Sequence, residues 1–214
     1  MQLLLCVDQM LNQTRASFTR EPADMRRQAL IEAAAACLAE RGVAGTSVRT
    51  ICARAGVSPG LLRHYFAGVD ALIAETYREV TRHVSETFEA AVAAAGESPR
   101  ARLIAYVTAS FRPPITDPSL LATWLAFWSL VKTDADIALI HGETYRAYRD
   151  DLEALLAACG MPQASAGPVA IALTALVDGL WLELSLDPTT FTPDQASAMA
   201  VRWLDTLLER PAFG

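Results

Sequence analysis

Apolar residues recur along most of this chain at spacings of three and four, with polar residues between them. That is the period of amphipathic helices rather than of strands. From Pro22 to Arg41 one face carries Leu30, Ala33, Ala34, Cys37, Leu38 and Arg41, and Gly42 stops the helix. In Ser47–Tyr65, Val48, Ile51, Cys52 and Ala55 fall at i, i+3, i+4 and i+7. Gly56 takes positive φ cheaply and closes that helix. Ser58 followed by Pro59 opens another, an N-cap hydroxyl and then a ring already set at helical φ. Leu61 and Leu62 point inward, which leaves Gly60, Arg63, His64 and Tyr65 outside. A short helix, a glycine turn and a second helix with a basic outer face predict a helix-turn-helix.

The same pattern continues to the C-terminus. After the Ala67-Gly68 break, Asp70 is expected to cap a long helix from Ala71 to about Ala95. Further helices are predicted over Arg100–Phe111, Leu120–Lys132, Ala135–Cys159, Val169–Leu186 and Asp194–Leu208, with Gly- and Pro-containing turns between them. The fold class is therefore all-α, with nine helices and no strand. Three form a head over residues 21–68, and six form a body over residues 69–214. Residues 1–20 have weak periodicity and make an N-terminal extension to which no role is assigned.

Charge alters this picture more than composition does. The net charge is −6, but residues 20–68 carry seven arginines against four acidic groups, a balance of +3, while residues 69–214 stand at −9. A basic module joined to an acidic one is the asymmetry expected when only one end meets phosphate. The four cysteines have no paired spacing and read as small apolar residues in a reducing compartment. The three histidines are scattered singly, so no metal site is expected. Met1–Val7 is too short for a signal-peptide core, and Val169–Leu186 contains Asp178 and Glu183, which would be costly in lipid. A soluble cytoplasmic protein without membrane contact is expected. Phosphate-binding glycine loops, a Gly-x-Ser-x-Gly turn and metal spacings are missing, and Glu143, Asp150 and Glu153 lack the histidine partner of a carboxylate metal bundle. Neither catalysis nor a cofactor is expected.

The segment GTSVRTICARAGVSPGLLRHYF, Gly45–Phe66, resembles the DNA-binding signature of the TetR family of bacterial repressors, and the resemblance extends over residues 22–80. In the body, WLAFW at Trp124–Trp128 and VDGLWLELSLDP at Val177–Pro188 look like the BetI-type, choline-responsive branch of that family. The resemblance implies a homodimer on a palindromic double-stranded DNA operator, released when a small-molecule effector enters the body and tilts the long linking helix. It implies phosphate contacts from Thr46, Ser47, Arg49, His64 and Tyr65, with Ser58 and Pro59 starting the reading helix and Gly60, Leu61 and Arg63 facing the bases. Arg63 is the strongest candidate for sequence reading, because a guanidinium can donate two hydrogen bonds to one guanine edge. One departure stands out: the family usually has Lys before the acidic residue that opens the linking helix, and this chain has Val69. Arg26, Arg27 and Arg49 are candidates to supply the missing charge.

Trp124, Phe127 and Trp128 share one face of a helix, and Tyr106, Tyr145, Tyr148 and Trp181 could complete an aromatic pocket. Aromatic faces attract quaternary ammonium through their quadrupole, and Asp178 or Glu183 could add negative charge, which suits choline or betaine aldehyde. The same rings could instead be ordinary core. By the resemblance the last two helices pair two chains, with Leu173, Val177, Leu180, Met199, Trp203 and Leu207 expected at the interface. The alternatives are a TetR-like regulator of an unrelated hydrophobic or cationic effector, and a helical adaptor that binds protein.

Overall fold

The structure, a computed structural model, describes residues 2–209, with side chains from Asp24 onward. The side chains of the 1–20 extension lie outside that range. The described residues hold nine helices and no strand: α1 (Gln2–Gly45), α2 (Val48–Ala55), α3 (Pro59–Tyr65), α4 (Val69–Ala94), α5 (Pro99–Ala109), α6 (Pro118–Leu130), α7 (Ala135–Ala158), α8 (Gln163–Leu186) and α9 (Pro193–Glu209). They divide into two compact units, Met1–Thr76 and Tyr77–Gly214. The division falls two turns inside α4 rather than at residue 68, because Leu72 at the start of α4 is fully buried in the core of the first unit.

That first core consists of Leu30, Ala34 and Cys37 from α1, Ile51 and Cys52 from α2, Leu62 from α3, then Phe66 and Leu72. Cys37 and Cys52 are free and buried, packing as small apolar side chains. The termini of α2 and α3 follow from local chemistry. Ser47 accepts from the Thr50 amide at 3.3 Å while its own amide donates to Thr50 Oγ1 at 2.8 Å, a reciprocal capping box. Gly56 lies at φ +65° and returns its amide to the Cys52 carbonyl. Ser58 accepts from the Leu61 amide, with Pro59 in the first turn. Gly42, at φ +61°, interrupts α1 where the sequence places its end, although helical bonding resumes as far as Gly45. Asp70 does not cap α4: the helix already begins at Val69, and Asp70 stands in its first turn, beside the positive end of the helix dipole.

In the second unit α8 packs against α6, α7 and α9. Leu103 and Val107 of α5, Phe127 of α6, Leu152 and Leu156 of α7, Val169 and Leu173 of α8 and Leu204 of α9 are all completely buried. Each such side chain contributes about 1.5–3 kcal/mol by leaving water. By length and composition α8 could cross a membrane, yet its inward residues are covered by its neighbours in this unit. It also begins earlier than expected. Pro168 suggests a start at Val169, but the helix runs from Gln163, and Pro168 sits inside it at the loss of one backbone donor.

Of the six residues expected between subunits, Leu173, Val177 and Leu207 are buried within the chain and are not available to a partner. Because α8 is apolar around most of its circumference, its period could not tell the inner face from the outer. The outer face carries Ile171 (61% exposed) and Leu186 (67% exposed). Leu180, Met199 and Trp203 meet there in a shallow groove between α8 and α9, with Trp203 56% exposed.

Candidate nucleic-acid interface and effector cavity

On the head, Ser58, Pro59, Gly60, Arg63 and His64 are exposed along α3, with Leu61 and Tyr65 half-buried at its margin. Tyr65 packs on the core and takes the His64 ring edge-on at 5.0 Å. At the start of α2, Ser47 and Arg49 are exposed, and the half-buried Thr46 donates its hydroxyl to the Gly42 carbonyl. The hydroxyls of Thr46, Ser47 and Ser58 are thus already engaged in turns and caps, and the amides of Thr46 and Ser47 donate to the Val43 carbonyl and to Thr50 Oγ1.

Five of the head's arginines divide into two groups. Arg27 pairs with Glu75 at 2.5 Å, its guanidinium 5.3 Å from the centre of the Phe66 ring, and Arg54 pairs with Glu40 at 2.7 Å. Those two belong to the packing of the head. Arg26, Arg49 and Arg63 are exposed and enter no ion pair among the described residues. Arg27 is therefore poorly placed to replace a phosphate contact at Val69, whereas Arg26 and Arg49 remain free to do so. Val69 itself packs against the head core.

The body contains a cavity of about 740 Å³, part of it open to solvent. Aromatic residues from five helices line it: Phe88 (α4), Tyr106 (α5), Trp124 (α6), Tyr145 and Tyr148 (α7) and Trp181 (α8). Phe88, Tyr106 and Tyr148 cluster with ring centres 5.0–5.5 Å apart, and Trp124 meets Trp181 edge-on at 5.8 Å. Trp181 donates its indole N–H to the Ser110 carbonyl at 3.1 Å, which fixes its ring plane. The hydroxyl of Tyr148 is shut off from solvent without a well-formed hydrogen bond, although the Ser110 side chain is nearby.

Two carboxylates reach the same cavity, each held by a tyrosine. Tyr145 donates to Asp178 Oδ1 at 3.2 Å, and Tyr106 donates to Asp151 Oδ2 at 3.0 Å. No lysine, arginine or histidine is among the lining residues. Burial pushes the Asp178 carboxyl up to about 6, against the opposing effects of the Tyr145 hydrogen bond and the more distant Arg149 charge. Burial also raises the phenols of Tyr106 and Tyr145, which remain protonated donors. From Tyr145 the contacts continue outward. Its ring lies 4.2 Å from that of His141, and His141 Nδ1 shares a 3.1 Å hydrogen bond with the hydroxyl of Tyr77 on α4. Burial lowers the His141 pKa, which keeps the ring neutral near pH 7.

Of the six pocket residues expected from the sequence, Tyr106, Trp124, Tyr145 and Trp181 line the cavity, and Phe127 and Trp128 do not. Phe127 is completely buried, stacked on Tyr77 at 4.2 Å with 12° between the planes, and Trp128 meets the Trp181 ring edge-on at 6.5 Å. Three neighbouring positions on one helix face cannot all turn toward a cavity that only one edge of that face touches. Glu183 is exposed and does not line the cavity. Asp151, Ser110 and Tyr77 carry no separate signal in the sequence, because each is one polar or aromatic residue on, or just past the end of, an otherwise ordinary helix.

A helix-turn-helix head with exposed arginines, attached to a helical body with an acidic aromatic cavity, defines a ligand-responsive DNA-binding transcriptional regulator. Comparison with known proteins places it further. Residues 30–76 match the family described as bacterial regulatory proteins, tetR family, and residues 99–209 match that of the BetI-type transcriptional repressor, C-terminal. The chain belongs to the BetI-type branch of the TetR family of transcriptional repressors. The HTH-type transcriptional regulator BetI of Burkholderia thailandensis is 36% identical over 186 residues, covering 86% of this chain and 94% of that protein. Among solved structures, a transcriptional regulator from Pseudomonas aeruginosa PAO1 is 43% identical with a TM-score of 0.81, covering 90% of this chain and 94% of that one. A regulator from Saccharomonospora viridis, solved in complex with choline, shares the fold at 19% identity and a TM-score of 0.74, covering 85% of this chain and 96% of that one.

Proposed function

We propose that the protein is a cytoplasmic homodimeric repressor, without catalytic turnover, that leaves a palindromic operator when a small organic cation of the choline and betaine aldehyde type occupies the cavity. The observation that carries this reading is the cavity wall: six aromatic rings and two carboxylates with no cationic residue among them. A quaternary ammonium gains about 0.5–2 kcal/mol per well-placed ring, most where it is desolvated, and Asp178 supplies the counter-charge. The choline held by the Saccharomonospora viridis regulator supports the same chemistry on the same fold.

Dimerisation through the outer face of α8 and α9 would cover Ile171, Leu186, Met199 and Trp203, large apolar groups that a monomer leaves in water. Two copies of α3 would then read half-sites about 34–36 Å apart, one helical turn of DNA. Operator DNA shifted by the protein in a gel should be freed by choline or betaine aldehyde, and not by an uncharged isostere such as 3,3-dimethylbutanol. Release by the neutral compound at the same concentration would reject a cationic effector.

The contacts from Tyr145 through His141 to Tyr77 supply a route from the cavity to α4, which is shared with the head. Tyr77→Phe keeps the ring stack on Phe127 and removes only the bond to His141. It is expected to bind effector within about twofold of wild type in calorimetry, yet to need several times more effector to free operator. Unchanged release would mean that the signal does not pass through this bond.

A further inference from the structure

The cavity has two acidic poles, and a single ammonium group needs one. Asp178, on α8, is the inner pole, partly buried and held by Tyr145. Asp151, on α7, is the outer pole, exposed at the mouth and held by Tyr106. They are not a proton-sharing dyad. Tyr145, which marks the first, and Asp151 lie six residues apart on α7, roughly 9 Å along the helix axis at 1.5 Å per residue. Between them Phe88, Tyr106 and Tyr148 present the apolar surface of a ring cluster. An aromatic trough with a fixed carboxylate at each end matches an alkyl chain with a cation at each end.

We infer that the preferred effector is a dication of the terminal diamine or polyamine class, with one nitrogen at Asp178, the methylenes over the ring cluster, and the second nitrogen at Asp151. This rests on the reading of the cavity as a cation site, and it puts a two-headed cation ahead of choline as the occupant. A compound with one cationic head would fill only the inner half and leave the Tyr106–Asp151 pair without a partner.

Calorimetric titration of the full-length protein at pH 8 tests this, with 1,4-diaminobutane, 1,5-diaminopentane, n-butylamine and choline as probes. The better diamine is expected to bind about fivefold tighter than n-butylamine, the gain an ion pair provides at a partly exposed site. In Asp151→Asn that preference should fall to within twofold of none. Tyr106→Phe, which keeps the carboxylate but removes its holding bond, should reduce the preference to an intermediate value and serves as the second variant if Asp151→Asn melts early. Equal binding of diamines and n-butylamine by wild type would overturn the dication, as would an undiminished preference in Asp151→Asn, or in Tyr106→Phe where that variant stands in. Choline or n-butylamine binding that depends on Asp178 but shows no diamine preference would defeat this inference alone. No binding by any of the four amines would defeat it together with the cation reading.

Discussion

Asp178→Asn is expected to melt at a higher temperature than wild type at neutral pH and to stay on operator DNA when a cationic effector is added. Both effects come from one carboxylate held out of water. Its pKa is raised from 3.8 to about 6, chiefly by burial, so the folded state at pH 7 carries a charge it would shed more easily than the unfolded chain does. Two pH units correspond to about 3 kcal/mol at 1.36 kcal/mol per unit, and partial exposure makes about 2 kcal/mol the more realistic gain for a neutral isostere. The sign fixes the window. A group with a raised folded pKa stabilises the fold below its unfolded pKa, and that advantage is lost as pH rises through about 6. Variant and wild type should therefore differ little below about pH 4 and most above about pH 7, as read from melting curves across that range. Effector binding runs in the opposite sense. At pH 5 only about a tenth of Asp178 is ionised, so wild type should lose up to about tenfold in affinity for a permanently charged probe such as choline. A variant that melts below wild type at pH 7, or still responds fully to choline, would show that the Asp178 charge is not reserved for the ligand.

The contrast between Asp178 and the residues around it shows why some of the site was legible in the sequence. The head is built from short-range chemistry. Gly56 in its left-handed turn and the Ser58-Pro59 start each depend on a few consecutive residues, and both appear in the structure where the sequence places them. The cavity depends on helices far apart in the chain. Trp124, Phe127 and Trp128 have the same period and the same chemistry. Tyr77, from a distant helix, stacks on the sealed Phe127 and meets Trp124 edge-on, while Trp124 lines the cavity. Leu173 and Val177 were ambiguous for a related reason, since an evenly apolar helix such as α8 gives no moment from which to choose an inner face. Asp151 is one of several carboxylates on α7, and it becomes distinctive only because Tyr106 arrives from α5.

Replacing Arg63 with Ala should affect which DNA the head prefers more than how tightly it holds DNA in general. The side chain is exposed on α3 and enters no ion pair among the described residues, and Ala favours helix, so the head should keep its stability within about 0.5 kcal/mol. If the guanidinium reads a guanine edge, its loss removes about 1–3 kcal/mol of discrimination per half-site, roughly five- to 150-fold. Binding to unrelated DNA would fall much less, because that binding rests on phosphate charge. Measuring the operator-to-random affinity ratio at a fixed salt concentration separates the two roles. A collapsed ratio assigns Arg63 to the bases, whereas an equal loss on both DNAs, with the salt slope reduced by about one per half-site, assigns it to phosphate. The distinction matters here because Val69 takes the place of a cation at the start of α4 and packs into the head core instead. If Val69 leaves one backbone anchor fewer, a larger share of operator affinity comes from base contacts. The Arg63→Ala effect on the operator should therefore grow, relative to total affinity, as salt is raised.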